Sequence, residues 1–261
     1  MKGVSEGGPP LLAISADGRA TITLNRPQHL NRLHREDLVA LQQQLAGLAA
    51  NPAVRLVVLT GRGRAFCAGF HLGELNEADA AAADPQAFEC MVDALEALPQ
   101  PTIARLNGGV YGGATDLALA CDFRVGIAAM ELRMPAARLG LHYYPGGLQR
   151  YVSRLGLQAA KRLFLLGEAV DAAELLRIGY LDELAGDADG LDAAVERIAA
   201  ALLAGAPLAV AGMKASLNEI ARGDVDLVRL REREARCAAS ADLQEGLAAF
   251  AARRAPVFRG R

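Results

Sequence analysis

An α/β fold is predicted by three features of the sequence. The first half repeats a strand–strand–helix order. Two nearly continuous apolar runs, Val54 to Thr60 (VRLVVLT) and Thr102 to Leu106, have the character of strands buried on both faces of a parallel sheet. After Gly146, helical spacing dominates.

The elements follow in order. Leu11 to Ser15 and Ala20 to Leu24 flank Asp17-Gly18 and read as a β-hairpin. Leu38, Leu41, Leu45 and Leu48 recur at helical spacing, which predicts an amphipathic helix over Arg35 to Ala50. The strand at Val54 to Thr60 leads into a glycine-punctuated loop, Gly61 to Gly69. An Ala-rich helix is predicted over Ala78 to Leu98. The strand Thr102 to Leu106 enters a glycine-rich turn that opens into a helix carrying Asp116. Phe123 to Ile127 and Glu131 to Met134 read as short strands. Helices are predicted at Gly147 to Leu155, Leu157 to Leu166, Ala172 to Ile178, Gly190 to Leu203, Ala209 to Arg222 and Val225 to Ala252, so the last third is expected to be all helix.

Composition narrows the function. A net charge of −2 over 261 residues gives no electrostatic footprint for nucleic acid or an anionic membrane. Cys67, Cys90, Cys121 and Cys237 lack both CxxC spacing and histidine partners at metal-ligand intervals, which predicts reduced thiols in a cytoplasmic protein and no metal site. The first residues, MKGVSEGGPPLL, have neither the apolar core of a signal peptide nor the arginines of a transit peptide, and loose order is expected up to about Pro10.

The chemistry concentrates in Leu106 to Asp122, LNGGVYGGATDLALACD. The first amides of a helix have no partner inside it and carry the positive end of its dipole. Gly112 and Gly113 fall at that helix start and would let a ligand approach the backbone closely. Asp116 lies some three residues past Gly113, late for an N-cap. In an apolar pocket its pKa would rise toward useful acid/base range. A second glycine loop, GRGRAFCAGFHL, also follows a buried strand, and the amide of Phe70 is the candidate second oxyanion donor. His142, Tyr143 and Tyr144, in LGLHYYPGG, are either ordinary surface residues or proton donors. His71 reads as a loop hydrogen-bonder, and Cys67 and Cys121 as buried and inert.

Several motifs in order then resemble the crotonase superfamily, the enoyl-CoA hydratase/isomerase family, almost end to end. They are TITLNRPQHLNRL, VRLVVLTGRGRAFCAGFHLGEL, LNGGVYGGATDLALACDFRV, LGLHYYPGGLQR and the closing APVFRGR. The resemblance implies a spiral of ββα repeats over residues 1–200. It also implies a C-terminal helical region, 201–261, that helps to build a homotrimer or a hexamer. The implied substrate is an acyl-CoA thioester whose carbonyl accepts from Phe70 and Gly113. Ala68, His71, Leu72, Gly73, Gly112 and Arg32 would lie in the CoA and substrate site. No separate cofactor is expected, because coenzyme A enters as part of the substrate.

The pattern departs from the hydratases of that family at one point. Their two glutamates fall here at Asp116 and Ala136, so one acid/base group is missing and the other is about 1.5 Å shorter. Hydration of a 2-enoyl-CoA with Asp116 as the main acid/base is the first expectation. Isomerisation or decarboxylation with Tyr143 or Tyr144 assisting is the second, and a non-catalytic acyl-CoA binder the third. A loop phenol, with an ordinary pKa near 10, suits an acid better than a resting base.

Overall fold

The computed structural model describes residues 7–75, 84 and 86–261. The hairpin forms as expected, with β1 (Leu11–Ile14) antiparallel to β2 (Arg19–Leu24). In β2, buried and half-buried residues alternate, as they must when one face meets the core. Helix α1 (Arg35–Ala49) buries Leu38, Leu41, Leu45 and Leu48, the four leucines whose spacing predicts it. Strands β3 (Leu56–Gly61) and β5 (Thr102–Leu106) are almost wholly buried and pair in parallel.

The repeat is then visible in space. The first strand of each unit, β3, β5 or β7 (Phe123–Ile127), joins a six-stranded sheet ordered β1-β2-β3-β5-β7-β10, with β10 at Glu183–Ala185. The second strand, β4 (Ala65–Cys67), β6 (Gly109–Tyr111) or β8 (Glu131–Arg133), joins a four-stranded sheet closed by β9 (Ala169–Asp171). Each unit therefore advances both sheets by one parallel strand, which is the crotonase spiral.

Several expectations are corrected. The loop from Gly61 to Gly69 contains β4, and the glycine turn before Asp116 contains β6. Strand β10 interrupts the last third, so it is not all helix. The predicted Ala-rich helix is α2 (Ala87–Glu96); its expected first part, 78–83 and 85, lies outside the described residues, as do residues 1–6. Helix α3 (Ala114–Leu119) carries Asp116. Helix α4 (Pro145–Lys161) covers the first predicted segment and the start of the second, is interrupted at Gly156, whose backbone has φ 79° and ψ 160°, and gives way to a π-helical turn over Arg162–Leu166. Then follow α5 (Ala172–Arg177), α6 (Ala188–Leu203) and α7 (Pro207–Arg222). The helix predicted over 225–252 is two, α8 (Leu227–Ala238) and α9 (Ala241–Ala251), because Ser240 caps the second by accepting from the Leu243 amide.

The larger core lies between the two sheets, α1, α2, α3 and α4; a smaller cluster beneath α6 contains Ile103, fully buried, with Leu56 and Val125. Ile103→Val removes one methyl from that layer and is expected to cost about 0.5–1.5 kcal/mol, read by denaturant titration. Among the described residues, no single helix is long and apolar enough to cross a membrane.

Candidate active site

Two loops leave parallel neighbours on one side of the molecule. The loop after β4 is pinned to the chain before α1: Leu33 donates to the Gly69 carbonyl at 2.8 Å, and His71 donates back to Leu33 at 2.8 Å. The turn after β6 is held by the Gly112 amide, which donates to the Arg133 carbonyl at 2.9 Å. Strands β4 and β6 pair in parallel, and this brings the two turns together.

Gly69 marks the contact. Its φ is +83°, and a Cβ built on it would lie 2.7 Å from the Tyr111 carbonyl and 3.0 Å from the Gly113 amide nitrogen. The amides of Phe70 and Gly113 therefore sit on abutting backbones. Among the described residues, neither donates to a protein acceptor. Gly113 is also the N-cap of α3, so the helix dipole reinforces its amide.

Both turns open on a cavity of about 330 Å³. Its wall includes Ala68, Phe70, Leu72, Gly112, Gly113, Tyr143 and Tyr144 from the expected site, together with Ala136, His142 and Phe88. Among the described residues, none that lines it is a carboxylate. A larger groove of about 730 Å³ lies between α4 and α5, where Arg162 and Arg177 are both paired with Glu174. It lacks the converging amides.

Asp116 does not line the cavity. It is fully buried one layer behind, and its Oδ2 accepts from the Tyr144 hydroxyl at 2.5 Å and from Arg150 Nη1 at 2.7 Å. Its side chain caps no helix. The expectation of an acid facing the acyl group is thus corrected in position: the group that meets the cavity is Tyr144. Tyr143 stacks on Tyr144 with ring centroids 4.2 Å apart and donates to the Tyr144 hydroxyl at 3.1 Å. Neither tyrosine is an ordinary surface residue.

Burial raises the Asp116 carboxyl above its ordinary range; Arg150 and the Tyr144 hydrogen bond pull it down only in part. Burial, and then the Asp116 charge, push both phenols well above theirs, so both rest as acids. Burial pushes the thiols of Cys67 and Cys121 up to about 12, in keeping with inert cysteines.

The remaining expected residues gather beside the Phe70 loop, outside the cavity wall. Arg32 Nε donates to His34 Nε2 at 3.2 Å, and His34 Nδ1 meets Glu74 at 2.5 Å. The His71 ring packs against His34 at a tilt of 60° with centroids 4.9 Å apart, and Gly73 packs on the His71 ring. Among the described residues the His71 ring makes no hydrogen bond; its backbone holds the loop, donating to the Leu33 carbonyl at 2.8 Å and accepting from the Glu74 amide at 3.0 Å.

The sequence profile of the enoyl-CoA hydratase/isomerase family matches residues 15–261. The chain belongs to that family. YngF of Bacillus subtilis is 36% identical to it over 97% of this chain and 99% of its own length. The crotonyl-CoA hydratase of Syntrophomonas wolfei is 31% identical over 92% of this chain and 94% of its own. The crystal structure of the enoyl-CoA hydratase from Bacillus anthracis superposes with a TM-score of 0.86 at 30% identity, covering 97% of this chain and 100% of its own.

Within this member of the enoyl-CoA hydratase/isomerase family, three site residues escape a reading of the sequence. Gly69 shows only as one of several loop glycines. Phe88, on α2, reaches the cavity from far along the chain. Arg150 sits in the LQR of a quoted motif, but nothing local ties it to Asp116, 34 residues away.

Proposed function

We propose that this protein acts on an acyl-CoA thioester, forming its enolate between the Phe70 and Gly113 amides and moving a proton at Cα through Tyr144. The observation that carries this reading is the pair of acceptor-free amides facing a cavity in which a phenol is tied to a buried carboxylate. Preorganised donors aimed at a developing oxyanion supply a large share of such catalysis.

Hydration of a 2-enoyl-CoA is the reaction assigned first, and the names of relatives support it. Water adds to Cβ while its proton passes to Tyr144 as the Tyr144 proton passes to Asp116. The enolate oxygen is held by the two amides. The proton then returns from Asp116 through Tyr144 to Cα, the water oxygen stays on Cβ, and Asp116 ends as the carboxylate it began as. Tyr144 is the catalytic residue and Asp116 acts through it. Ala68 to Gly73 and Arg32 are assigned to the CoA moiety, and the C-terminal helices α7 to α9 to contacts in a homotrimer or a dimer of trimers.

A second reading rests on the cavity wall, which among the described residues holds no carboxylate. Loss of CO2 from a malonyl-type thioester yields the enolate without a base, and only the acid, Tyr144, is then needed. Loss of the enoyl absorbance of crotonyl-CoA tests the first reading, and CO2 release from methylmalonyl-CoA the second. Turnover of crotonyl-CoA at the rate of a Gly69→Ala control would sink hydration. Tight binding of both esters with neither reaction would leave the acyl-CoA binder.

A further inference from the structure

The charge on Arg150 is out of proportion to a packing role. Its side chain is 1% exposed, yet it meets three carboxylates: Asp116 at 2.7 Å, Asp93 at 2.6 Å and Glu96 at 3.1 Å. A cation taken this far from water needs such partners, and breaking a buried pair leaves an uncompensated charge. Two of the three carboxylates are on α2, and Asp116 is on α3. Arg150 thus joins three helices at the back of the cavity.

The geometry at Asp116 is uneven. Both of its donors, Arg150 and Tyr144, use Oδ2, and among the described residues the buried Oδ1 has no partner. A carboxylate satisfied on one oxygen only is under-solvated and therefore basic. It also lies at the end of a chain of hydroxyls, Tyr143 to Tyr144 to Asp116.

We propose that Arg150 is a positioning residue for proton transfer: anchored by Asp93 and Glu96, it holds Asp116 as a carboxylate against Tyr144 and so sets the pH below which Tyr144 has no acceptor for its proton. The inference rests on the acyl-CoA reading for its catalytic consequence only; the charge relation between Arg150 and Asp116 stands without substrate.

Charged and titratable groups surround the pair among the described residues. From α2, Asp93 and Glu96 face Arg150. From the loop before α4, Tyr143 and Tyr144 face Asp116. From α4 itself, Arg154 pairs with Glu96, and Tyr151 donates to the Thr115 hydroxyl. Tyr180, after α5, donates to the Thr115 carbonyl at 2.7 Å. From α7, Arg222 pairs with Glu96, and Lys214 is taken by Asp122 at 2.8 Å. Arg150 is the one cation bonded to Asp116 among the described residues. Asp93, with a side chain 42% exposed, is the one partner of Arg150 with substantial access to water.

Two substitutions then act in opposite directions. Arg150 favours the Asp116 anion, so Arg150→Gln raises the Asp116 pKa and moves the acid limb of kcat/KM to higher pH. Asp93 disfavours that anion, so Asp93→Asn lowers the pKa and moves the limb to lower pH. A shift of one pH unit is about tenfold in rate at a fixed pH below the limb.

The test is a pH titration of the protein carrying 13Cγ-aspartate, with the Asp116 resonance assigned by its loss in Asp116→Asn. The expected result is an upward shift in Arg150→Gln, partial return in Arg150→Lys and a downward shift in Asp93→Asn. The pH profile of kcat/KM should follow the same order. Should Arg150→Gln not fold, Arg150→Lys and Asp93→Asn still give the opposed pair. Shifts of the same sign, or an Asp116 resonance that moves in neither variant, would overturn the proposal. Opposed NMR shifts in a protein that turns over no acyl-CoA would retain the Arg150 assignment and remove the acyl-CoA reading instead.

Discussion

Tyr144→Phe is expected to lower kcat by about 10²–10⁴, the usual contribution of a positioned acid/base group, with acyl-CoA affinity nearly unchanged. The ring stays, with its packing on Phe88 and Tyr143. Only the hydroxyl that joins the cavity to Asp116 is lost. Tyr143→Phe is the control. Its hydroxyl donates to Tyr144 and no further, so its loss removes one neutral hydrogen bond, about 0.5–1.5 kcal/mol. That corresponds to about tenfold or less in rate. A Tyr143 effect equal to the Tyr144 effect would reverse the assignment. Asp116→Asn should also be severe, because an amide cannot take the proton that Tyr144 must pass on.

The second large effect is expected at Gly69, which has no functional side chain. An alanine there must adopt a φ of +83° and place its Cβ 2.7 Å from the Tyr111 carbonyl. Backbone strain of this kind costs roughly 1–3 kcal/mol, which the rest of the fold can bear. The site cannot, because the loop that carries the Phe70 amide must move off the turn that carries the Gly113 amide. Loss of one oxyanion donor typically costs about 10²–10³ in kcat, and Gly69→Ala is expected to fall there while keeping native circular dichroism. Full activity in folded Gly69→Ala would mean that the two amides need not converge.

The two candidate oxyanion amides were legible in the sequence because each follows a buried strand and sits in a glycine turn. A backbone donor is a local property, and local properties are what strand runs and glycines report. The proposed proton path was not legible in the same way. Asp116 could be seen as a carboxyl near a helix start, but which side of α3 it faces depends on Arg150 and Tyr144, residues 34 and 28 positions away. Tertiary packing alone brings them together. For the aromatic doublet Tyr143-Tyr144 the sequence left a surface reading open, and burial removes it. The missed strands have a similar cause. Strands β4, β6, β9 and β10 have three residues each, too few for an alternating pattern, and β4 and β6 are flanked by glycines that read as loop. The helix start at Ser240 was hidden inside a continuous helical pattern.

Phe70, Gly113 and Tyr144 are expected together to make and unmake a thioester enolate. Exchange of the α-protons of butyryl-CoA in D2O, followed by 1H NMR, tests it without assuming the physiological acyl group. Deuterium is expected at one of the two α-positions with the native protein, and exchange reduced by about 10² or more in Tyr144→Phe and Gly69→Ala. Saturating binding of butyryl-CoA with no exchange, or exchange that Tyr144→Phe leaves unchanged, would contradict it.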